Sequence, residues 1–493
     1  MTRPLTPPHK SLASIAELLE TETLHGELEI TGLTHDSANV QPGDIFLAFP
    51  GQRVHGAKFA AAAKDSGAVA VLTDSEGAEM IENIPVIVVK NPRRTAGTLS
   101  AWFYGEPMRD IFSVGITGTN GKTTTTTLLH QIWTFVGHEA GLVGTVEMRI
   151  GREVLASKRT TPESSELQAL VAAMRERHVR DFAMEVSSHA LVLERMKGSH
   201  FAAVGFTNLS QDHLDFHSNM EEYFQAKAAL FTFEYSDLAI INIDDLYGQR
   251  LVVDCQIPYR TLSRTNSKAD WSYVSSHKLP SGNEVVVRGP GGILLQGQIP
   301  LHGEFNLDNA LMAIAMAFES GVDPLDIQRS FTAMQGAAGR LEAINVGQDF
   351  LAFVDYAHSP DAVATVLHTC STMTSGRLIA VLGCGGDRDT TKRILMGDAL
   401  RKGADIAVFT SDNPRSENPD EILKQMLGSH VVQSPSAVIT DRAQAIAYAA
   451  SLVQSDDVLI VLGKGHETGQ EIAGVVHPFD DRLVLAQAIG VKK

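Results

Sequence analysis

A glycine-rich turn between a predicted strand and a predicted helix constrains the fold of this chain more than any other stretch. Residues 111–116 are mostly apolar and predict a short strand, residues 124–135 carry apolar side chains at helical spacing, and GTNGKT lies between them. Glycines in such a turn let backbone N–H groups approach phosphate oxygens, and the positive end of the helix dipole favours the same ligand. Lys122 can reach the outer phosphates, and the Thr123 hydroxyl can hold Mg²⁺. The stretch predicts a phosphate-binding loop, with an ordinary glycine-containing turn as the alternative.

The spacing of this loop is shorter than that of kinases and GTPases. Ile116 occupies the position five before Gly121, so the loop reads GxxGKT and not GxxxxGK[ST]. The shorter loop points to a particular subset of ATP-using proteins.

Length and charge bound the domain organisation and the class of partner. A chain of 493 residues is too long for one core and predicts about three domains, which we place at residues 1–107, 108–337 and 338–493. The net charge of -17 argues against nucleic acid and anionic membranes as partners, because both select basic surfaces. Three widely separated cysteines and the lack of a long apolar run predict a cytoplasmic protein without disulfides or structural zinc.

The first predicted domain alternates short strands and helices. Residues 45–49, 68–72 and 86–89 predict buried strands. Two polar turns, residues 35–37 and 51–56, could hold a ligand or only close the chain, and the second interpretation is favoured from the sequence alone.

Polar residues of the middle stretch lie where a catalytic site is expected. Glu185 ends an apolar run, where a carboxylate beside a phosphate loop could bind Mg²⁺ or only cap the next helix. His213 lies in the loop NLSQDHLDFH, which could equally be a solvated turn. Thr161, followed by proline, is sufficiently explained as a helix N-cap. Asn306 and Asn309 open another predicted helix and could cap it or pair with an adenine edge.

Lys227 breaks the pattern of its own predicted helix. The helix carries an apolar stripe at i, i+3, i+4 spacing, formed by Met220, Tyr223, Phe224, Ala228 and Phe231. Lys227 falls inside this stripe. In one interpretation its stem lies along the stripe and its ammonium reaches water. In the other, burial lowers its pKa and leaves a neutral amine that reacts with CO₂, giving an anionic carbamate suited to a metal.

The last stretch predicts a parallel sheet whose strands end in turns rich in glycine and in polar or charged residues. Four apolar runs predict buried strands at residues 350–354, 378–382, 406–409 and 458–462. The turns that follow them read DYAH, GCGGDR, SDNPR and GKGHE. Because ligands of open α/β sheets collect at the carboxyl ends of strands, the four turns predict one site. None of them matches the dinucleotide motif GxGxxG, so a nicotinamide cofactor is not expected.

The ordered motifs of the chain resemble those of the Mur ligase family over nearly its whole length. These motifs are TGTNGKTT, MEVSSH, NLSQDHLDFH, a lysine within a helix, GEFNLDNA, GRLE, DYAHSP, GCGGDRD, DNPR and GKGHE. The resemblance implies an α/β protein of three domains: a UDP-sugar domain, a central P-loop ATPase domain and a Rossmann-like C-terminal domain that binds an amino acid. It also implies ATP-dependent addition of meso-diaminopimelate to the D-glutamate γ-carboxylate of UDP-N-acetylmuramoyl-L-alanyl-D-glutamate in peptidoglycan synthesis, with the enzyme expected to be a monomer.

The resemblance implies roles for the residues of this chain that match the family's motifs. It implies an ATP site of Gly118, Thr119, Asn120, Gly121, Lys122, Thr123, Thr124, Asn306, Asn309, Arg340 and Asp355. Catalysis would involve Lys122, Glu185, His213 and Lys227, and two Mg²⁺ ions would be served by Thr123, Glu185, His213 and a carboxylated Lys227. Ser37, Thr160, Thr161, Ser187 and Arg195 match positions that bind the nucleotide-sugar dipeptide. Arg388, Asp412, Asn413, Pro414, Arg415, Gly463 and Glu467 match positions that receive diaminopimelate.

Two positions depart from the family pattern and concern the UDP-sugar contacts. The usual Asp-Ser-Arg is here Asp36-Ser37-Ala38, and a frequent glutamine is Leu193.

Two functions remain as alternatives: a relative that adds lysine or resembles folylpolyglutamate ligases, and an ATP-binding regulatory protein without turnover. Arg415 favours diaminopimelate over lysine, because a guanidinium fork fits a second carboxylate that lysine lacks.

Overall fold

The chain folds into two compact units. The computed structural model describes residues 2–22, 25–51, 54–157, 159–213 and 216–492. One unit comprises Met1–Pro300 and Leu307–Gln335, and the other comprises Leu301–Asn306 and Gly336–Lys493. The predicted boundary between residues 337 and 338 lies close to this junction, whereas the division at residues 107 and 108 stays a prediction. Gln52 and Arg53 of the polar turn at residues 51–56 and Leu214 and Asp215 of the histidine loop lie outside the described residues.

The first unit begins with a small parallel sheet. Its strands, in the order β3-β4-β5-β6, follow a short antiparallel pair, β1 with β2. The strands are β1 (Lys10–Ser11), β2 (Glu29–Ile30), β3 (Gly32–Thr34), β4 (Asp44–Leu47), β5 (Ala70–Thr73) and β6 (Val86–Val88). The helices are α1 (Leu12–Leu18), α2 (Ala60–Asp65), α3 (Ser75–Ala78) and α4 (Pro92–Phe103). The three predicted strands are confirmed, since β4, β5 and β6 overlap them.

The rest of this unit is built on an eleven-stranded sheet in the order β10-β9-β8-β11-β7-β12-β13-β14-β15-β16-β17. Its strands are β7 (Phe112–Thr117), β8 (Ala140–Val143), β9 (Met148–Ile150), β10 (Glu153–Leu155), β11 (Asp181–Glu185), β12 (Ala203–Phe206), β13 (Ala239–Asn242), β14 (Tyr259–Ser263), β15 (Trp271–Leu279), β16 (Gly282–Arg288) and β17 (Leu294–Ile299). The helices are α5 (Lys122–Phe135), α6 (Ser164–Glu176), α7 (Ser188–Val192), α8 (Met220–Ala228), α9 (Leu246–Asp254), α11 (Pro324–Ser330) and α10 (Glu304–Glu319), of which the residues from Leu307 onward belong to this unit. Strand β7 pairs in parallel with β11 on one side and β12 on the other, so the predicted phosphate loop leaves the middle of the parallel region.

The second unit contains a six-stranded sheet in the order β18-β19-β23-β20-β21-β22. Its strands are β18 (Glu342–Ala343), β19 (Leu351–Asp355), β20 (Leu378–Cys384), β21 (Ile406–Ser411), β22 (Ala437–Val438) and β23 (Val458–Leu462), followed by a hairpin of β24 (Gly469–Ile472) and β25 (Val475–Pro478). The helices are α12 (Pro360–Ser371), α13 (Thr391–Gly403), α14 (Pro419–Leu427), α15 (Arg442–Leu452) and α16 (Asp481–Lys492). The four predicted strands are confirmed as parallel neighbours. The α/β fold class is therefore confirmed.

Two local predictions about helix ends are wrong. Helix α6 begins at Ser164, and Glu163 is its N-cap in a capping box with Glu166, so Thr161 does not cap it. Asn306 and Asn309 lie inside α10, which starts at Glu304, so neither asparagine caps that helix. In the described part of the chain, no helix is long and apolar enough to cross a bilayer.

Candidate active site

Two glycines give the loop after β7 its shape. Gly118 has φ of +147° and Gly121 has φ of +89°, a region that side chains with a Cβ rarely adopt. A Cβ on Gly118 would lie 1.9 Å from the Thr207 Oγ1, and one on Gly121 would lie 2.2 Å from the Asn309 Oδ1. Close packing therefore requires glycine at both positions, and α5 starts immediately after the second one.

The chain that follows β12 braces the outer part of the loop. The N–H of Thr119 donates to the Asn208 carbonyl at 2.8 Å, and the N–H of Asn120 donates to the Asn208 Oδ1 at 3.0 Å. The Thr207 hydroxyl donates to the Asn120 carbonyl at 2.6 Å. Because two loop N–H groups already have protein acceptors, the amino end of α5 is the part of this loop arranged to receive an anion.

Lys227 lies at the loop and not at the surface of its helix. The residue is 1% exposed, and its Nζ donates to the Gly118 carbonyl at 2.8 Å. The Nζ also lies 4.6 Å from the centre of the Tyr223 ring. Burial, and then the positive charge of Lys122, lower the pKa of Lys227 well below its ordinary value, against a smaller opposing effect of Asp212. The interpretation that the ammonium reaches water is wrong, whereas the carbamate stays a prediction.

Glu185 ends β11 next to the phosphate-loop strand and is held by one threonine. The N–H of Thr145 donates to its Oε1 at 2.6 Å, and the Thr145 hydroxyl donates to its Oε2 at 3.1 Å. The carboxylate does not cap the following helix, since Ser187 is the N-cap of α7. A Cβ on Gly144 would lie 2.5 Å from the Glu185 Oε1, so the chain passes very close to this carboxylate. Glu185 is 1% exposed and therefore depends on these hydrogen bonds.

Four of the predicted dipeptide-binding residues form one hydrogen-bonded group beside Glu185. The Thr160 hydroxyl lies 3.0 Å from the Thr145 hydroxyl. The Thr161 hydroxyl donates to the Glu185 carbonyl at 2.9 Å and lies 3.2 Å from the Ser187 hydroxyl oxygen. The Arg195 guanidinium donates to the Thr161 carbonyl at 3.5 Å. The group thus joins the carboxyl end of β11 to the segment that leads into α6.

The fifth predicted residue of that set, Ser37, lines a large cavity in the same unit. The cavity has a volume of about 680 Å³, and its walls include Phe49, Arg159 and Glu163. The charge of Glu163 is balanced by two arginines, since its Oε1 accepts from Arg93 at 2.6 Å and from Arg195 at 2.9 Å. The polar turn at residues 35–37 therefore lines a cavity of ligand size, and its role in binding stays a prediction.

His213 lies in a group of aromatic rings near the two lysines. Its ring centre is 4.8 Å from that of His189, and its backbone adopts a positive φ of 54°. Burial and the charges of His189, Lys122 and Lys227 lower the pKa of His213, while Asp212 opposes them. The ring therefore favours the neutral form that a metal ligand requires. Phe216 stacks on His189 with centres 4.0 Å apart.

The predicted Mg²⁺ ligands offer hard donors without forming a complete unmodified set. Among the described residues, no group of three His, Cys, Asp or Glu side chains could hold a metal ion. Glu185 supplies a carboxylate and Thr123 a hydroxyl, and these oxygen ligands suit Mg²⁺. A carbamate on Lys227, which stays a prediction, would add a further anionic oxygen donor of the kind that Mg²⁺ prefers.

The other predicted nucleotide residues lie partly in the second unit. In the first unit, the Thr125 hydroxyl donates to the Asn309 Oδ1 at 3.4 Å. In the second, the Asn306 amide donates to the His302 carbonyl at 2.9 Å, and the Arg340 guanidinium lies 4.8 Å from the Tyr356 ring centre. Burial raises the pKa of Asp355, whose carboxylate accepts from the N–H of Leu341 at 2.6 Å and of Ala357 at 2.7 Å.

The carboxyl edge of the second sheet brings the predicted amino-acid residues together. Arg415 has φ of +52°, and its Nη1 donates to the Gly386 carbonyl at 2.6 Å. A Cβ on Gly385 would lie 3.0 Å from that Nη1 and 3.8 Å from Cγ of Arg388, so the two arginines converge on this turn. A Cβ on Gly386 would lie 2.0 Å from the Pro414 carbonyl oxygen. The turns GCGGDR and SDNPR can therefore pack this closely only with glycine at position 386.

The acidic side of this edge is organised by a lysine that the sequence did not single out. Lys464 is fully buried, and its Nζ donates to the Asn413 Oδ1 at 3.1 Å and to the Glu467 Oε2 at 2.9 Å. Asn413 donates to the same Glu467 oxygen at 2.8 Å. Burial opposes ionisation of Glu467, but Lys464 and Asn413 outweigh it and lower its pKa.

Asp412 and Gly463 complete this group, and a buried arginine supports it. A Cβ on Gly463 would lie 3.9 Å from the Asp412 Cγ, and burial raises the pKa of Asp412. Arg442 pairs with Asp481 and donates to the carbonyls that end the two strands on either side of β20, Ser411 of β21 at 3.1 Å and Leu462 of β23 at 2.9 Å. Lys464 lies within the motif GKGHE, whereas Arg442 lies in none of the motifs named from the sequence, and neither position reveals burial.

Three family models match successive parts of the chain. The Mur ligase family, catalytic domain model matches residues 29–104, the Mur ligase middle domain model matches residues 116–317, and the Mur ligase, glutamate ligase domain model matches residues 339–465.

Full-length relatives agree with these models. The chain is 49% identical to UDP-N-acetylmuramoyl-L-alanyl-D-glutamate–2,6-diaminopimelate ligase of Streptomyces coelicolor, over 99% of this chain and 98% of that protein. It is 44% identical to the protein of the same name from Corynebacterium glutamicum, over 95% and 93% of the two chains. A solved structure of a ligase with that name is 31% identical, covers 98% of this chain and 99% of its own, and superposes with a TM-score of 0.71.

Proposed function

Because this chain belongs to the Mur ligase family, we propose that it joins meso-diaminopimelate to the D-glutamate γ-carboxylate of UDP-N-acetylmuramoyl-L-alanyl-D-glutamate with hydrolysis of ATP to ADP and phosphate. The observation that carries the proposal is the pairing of Lys122 and buried Lys227 on one carbonyl of the phosphate loop. This arrangement concentrates positive charge and a carbamate-forming amine where phosphates are expected, which a structural turn does not require.

The proposed reaction begins with activation of a carboxylate. A carboxylate does not accept an amine at neutral pH, because its oxygen is a poor leaving group. Transfer of the γ-phosphoryl group from ATP to the substrate carboxylate gives an acyl phosphate and ADP. Lys122 and the N–H groups at the start of α5 would neutralise the charge that spreads over the phosphoryl oxygens during transfer.

Mg²⁺ would bind at Thr123, Glu185, His213 and a carboxylated Lys227. Bound Mg²⁺ supplies charge neutralisation at the phosphates of the nucleotide. The protein's own contribution is to hold the ligands: Thr145 fixes both oxygens of Glu185, and the aromatic neighbours of His213 restrict its ring. Fixed ligands lower the cost of ordering the site at the moment of reaction.

The second half-reaction forms the new amide. The amine of the incoming amino acid attacks the acyl phosphate carbon, giving a tetrahedral intermediate that collapses with loss of phosphate, while the amine loses a proton. In the second unit, Arg415 and Arg388 would receive the distal carboxylate of diaminopimelate. Asp412, Asn413 and Glu467 would accept hydrogen bonds from the distal ammonium. Lysine has no distal carboxylate, so it would leave the arginine pair without its partner.

The remaining predicted residues would hold the UDP-sugar substrate and the nucleotide. The cavity lined by Ser37 would receive the nucleotide sugar, and Thr160, Thr161, Ser187 and Arg195 would orient the dipeptide near Glu185. Asn306, Asn309, Arg340 and Asp355 would contact ATP. We expect the reaction to take place in the cytoplasm with a monomeric enzyme.

A substrate panel tests the proposed function. Phosphate release is measured with ATP, Mg²⁺ and the UDP-dipeptide, together with meso-diaminopimelate, L-lysine or L-glutamate. We expect release with diaminopimelate and release near the level without amino acid for the other two. Faster release with lysine would overturn the assignment of the amino acid, and no ADP with any combination would overturn the ligase assignment.

A further inference from the structure

The N-terminal strap, which we define as residues 2–11, is held to the rest of the first unit by contacts that include the following. Arg3 pairs with Asp44, and the N–H groups of Leu5 and Thr6 donate to the carboxylate of Glu176 at 2.6 and 2.9 Å. The strap ends in β1, which pairs with β2.

The Arg3–Asp44 pair is bidentate and withdrawn from solvent. The Nη1 of Arg3 lies 2.6 Å from the Asp44 Oδ1, and its Nη2 lies 2.6 Å from the Oδ2. The two side chains are 10% and 0% exposed. Gly32 leaves the room for this pair, because a Cβ there would lie 2.3 Å from both the Arg3 Nη1 and the Asp44 Oδ1. Taking both charges out of water is costly, so the loss of either partner would disturb whatever the pair holds.

What the pair holds is the turn that carries Ser37. The Nη2 of Arg3 also donates to the Asn39 carbonyl at 3.1 Å, and Asn39 ends the short helical turn Ser37–Asn39. Asp44 in turn accepts from the Gln41 N–H at 2.8 Å, two residues after Asn39. Arg3 and Asp44 therefore fix the C-terminal end of the turn that presents Ser37 to the cavity.

The strap itself also reaches the cavity. Thr2 is one of the residues that line its wall, as is Ser37. Ala38, where the family motif has arginine, brings no cation to this turn. Arg3 brings one from a distant part of the sequence, bound to the turn through a backbone carbonyl and not through a motif side chain.

We propose that Arg3 is a positioning residue for the nucleotide-sugar pocket, which holds the Ser37–Asn39 turn in its binding conformation through Asp44 and the Asn39 carbonyl. The inference rests on the proposed function, since it assigns the cavity to the UDP-sugar substrate. Arg3 does not touch the reacting groups, so its loss should weaken binding of that one substrate and leave the chemical step intact.

The test uses the full-length protein with Arg3→Ala and Arg3→Lys. Initial rates are measured with the UDP-dipeptide, ATP and diaminopimelate varied in turn, and UDP alone is titrated by calorimetry. We expect the KM for the UDP-dipeptide to rise about 10-fold or more in Arg3→Ala, the loss expected for a hydrogen bond to a charged group. The kcat and the other two KM values should stay within about twofold. Arg3→Lys should fall in between, because an ammonium cannot form the bidentate pair.

Two controls separate positioning of the turn from general anchoring. Glu176→Gln weakens the second anchor of the strap without touching the turn, and Arg94→Ala removes an exposed arginine of the same unit that pairs with Glu194. Both should leave the KM for the UDP-dipeptide unchanged. A rise with Glu176→Gln equal to that with Arg3→Ala would overturn the specific role of the turn.

The outcomes also separate this inference from the proposed function. If the wild-type enzyme reacts but Arg3→Ala has an unchanged KM for the UDP-dipeptide, or only a lower kcat, the role of Arg3 alone is overturned. A wild-type protein that neither reacts nor binds UDP would overturn both. If Arg3→Ala does not fold, Arg3→Lys decides, because an unchanged KM in that variant contradicts the need for a bidentate pair.

Discussion

Lys122 and Lys227 donate to the same acceptor, the carbonyl oxygen of Gly118, at 2.9 and 2.8 Å. Two ammonium groups on one oxygen repel each other, and the one that is more deeply buried loses its proton more easily. Lys227 is that group, since burial and the charge of Lys122 both lower its pKa. A neutral amine at the phosphate loop is the chemical state that CO₂ requires for carbamate formation.

The first prediction concerns removal of the Lys227 amine. Lys227→Ala should reduce phosphate release below detection, because the variant can neither carry a carbamate nor replace its charge. Acetate should restore part of the activity by supplying a carboxylate. Mass spectrometry of the native protein in bicarbonate should show the mass of one added CO₂, lost on acidification. Lys424→Ala, which removes an exposed lysine, serves as the control. Full activity of Lys227→Ala would contradict the carbamate.

The sequence predicted features that depend on local pattern. The strand, glycine turn and helix around residues 111–135 are found in that order, because the apolar periodicity and the two glycines act over a few residues. The burial of Lys227 was one of two interpretations of its position, since a charged residue inside an apolar stripe is a local contradiction that either burial or a side chain reaching water resolves. The four polar turns of the last sheet lie at the same edge, because parallel strands place their carboxyl ends on one edge.

Other features depend on pairing between distant residues and were not predictable from one sequence. Thr145 and Glu185 meet because β8 and β11 are adjacent, which the chain order does not reveal. The Arg3–Asp44 pair likewise spans 41 positions. The Thr-Pro pattern at Thr161 suggested a cap, but the capping box of Glu163 and Glu166 starts the helix later and leaves the Thr161 hydroxyl to bind Glu185.

The second prediction concerns the support of Glu185. Thr145→Val keeps the shape of the side chain and the backbone bond to Oε1, but it removes the hydroxyl bond to Oε2. We expect the Mg²⁺ concentration for half-maximal activity to rise, or the activity to fall, roughly 10–100-fold, as for other groups that orient metal ligands. A Mg²⁺ titration of initial rates measures it. Thr98→Val, an exposed threonine bonded to its own helix, is the matched control. Identical Mg²⁺ curves for wild type and Thr145→Val would contradict the role of Thr145.

The third prediction concerns stability and pH. His130 is buried on α5, its Nε2 has no hydrogen-bond partner among the described residues, and burial lowers its pKa to about 4. The unfolded chain binds a proton near pH 6.5 that the folded chain does not, so folding loses stability as the pH falls from 6.5 toward 4. This loss amounts to about 2 kcal/mol between pH 8 and pH 5.

Replacement of His130 by glutamine should remove that part of the pH dependence. Urea denaturation of wild type and His130→Gln at pH 8 and pH 5 measures it as the difference between the two proteins, which cancels the other titrating groups. Equal changes with pH in both proteins would show that His130 does not titrate as expected from its burial.

The fourth prediction concerns selection of the amino acid by Arg415. Removal of its guanidinium should raise the KM for diaminopimelate roughly 30- to 150-fold. This change corresponds to the loss of about 2–3 kcal/mol of charged hydrogen bonding. Arg415→Lys should recover little, because a point charge does not form the planar fork. Rates with varied diaminopimelate measure the effect, and Arg401→Ala on the exposed face of α13 is the control. An unchanged KM would remove Arg415 from the amino-acid site.

The last prediction concerns Lys464, whose Nζ bonds to both Asn413 and Glu467. Its charge lowers the pKa of Glu467 against the effect of burial. The carboxylate therefore stays ionised and can accept a hydrogen bond from the distal ammonium of the substrate. Lys464→Met removes this charge at similar volume, so the pKa of Glu467 should rise and its protonation should begin at higher pH. The acid limb of kcat/KM for diaminopimelate should therefore move to higher pH, with the limb for ATP unchanged. Lys424→Met should leave both profiles in place, and an acid limb that does not move in Lys464→Met would show that Glu467 keeps its charge without this lysine.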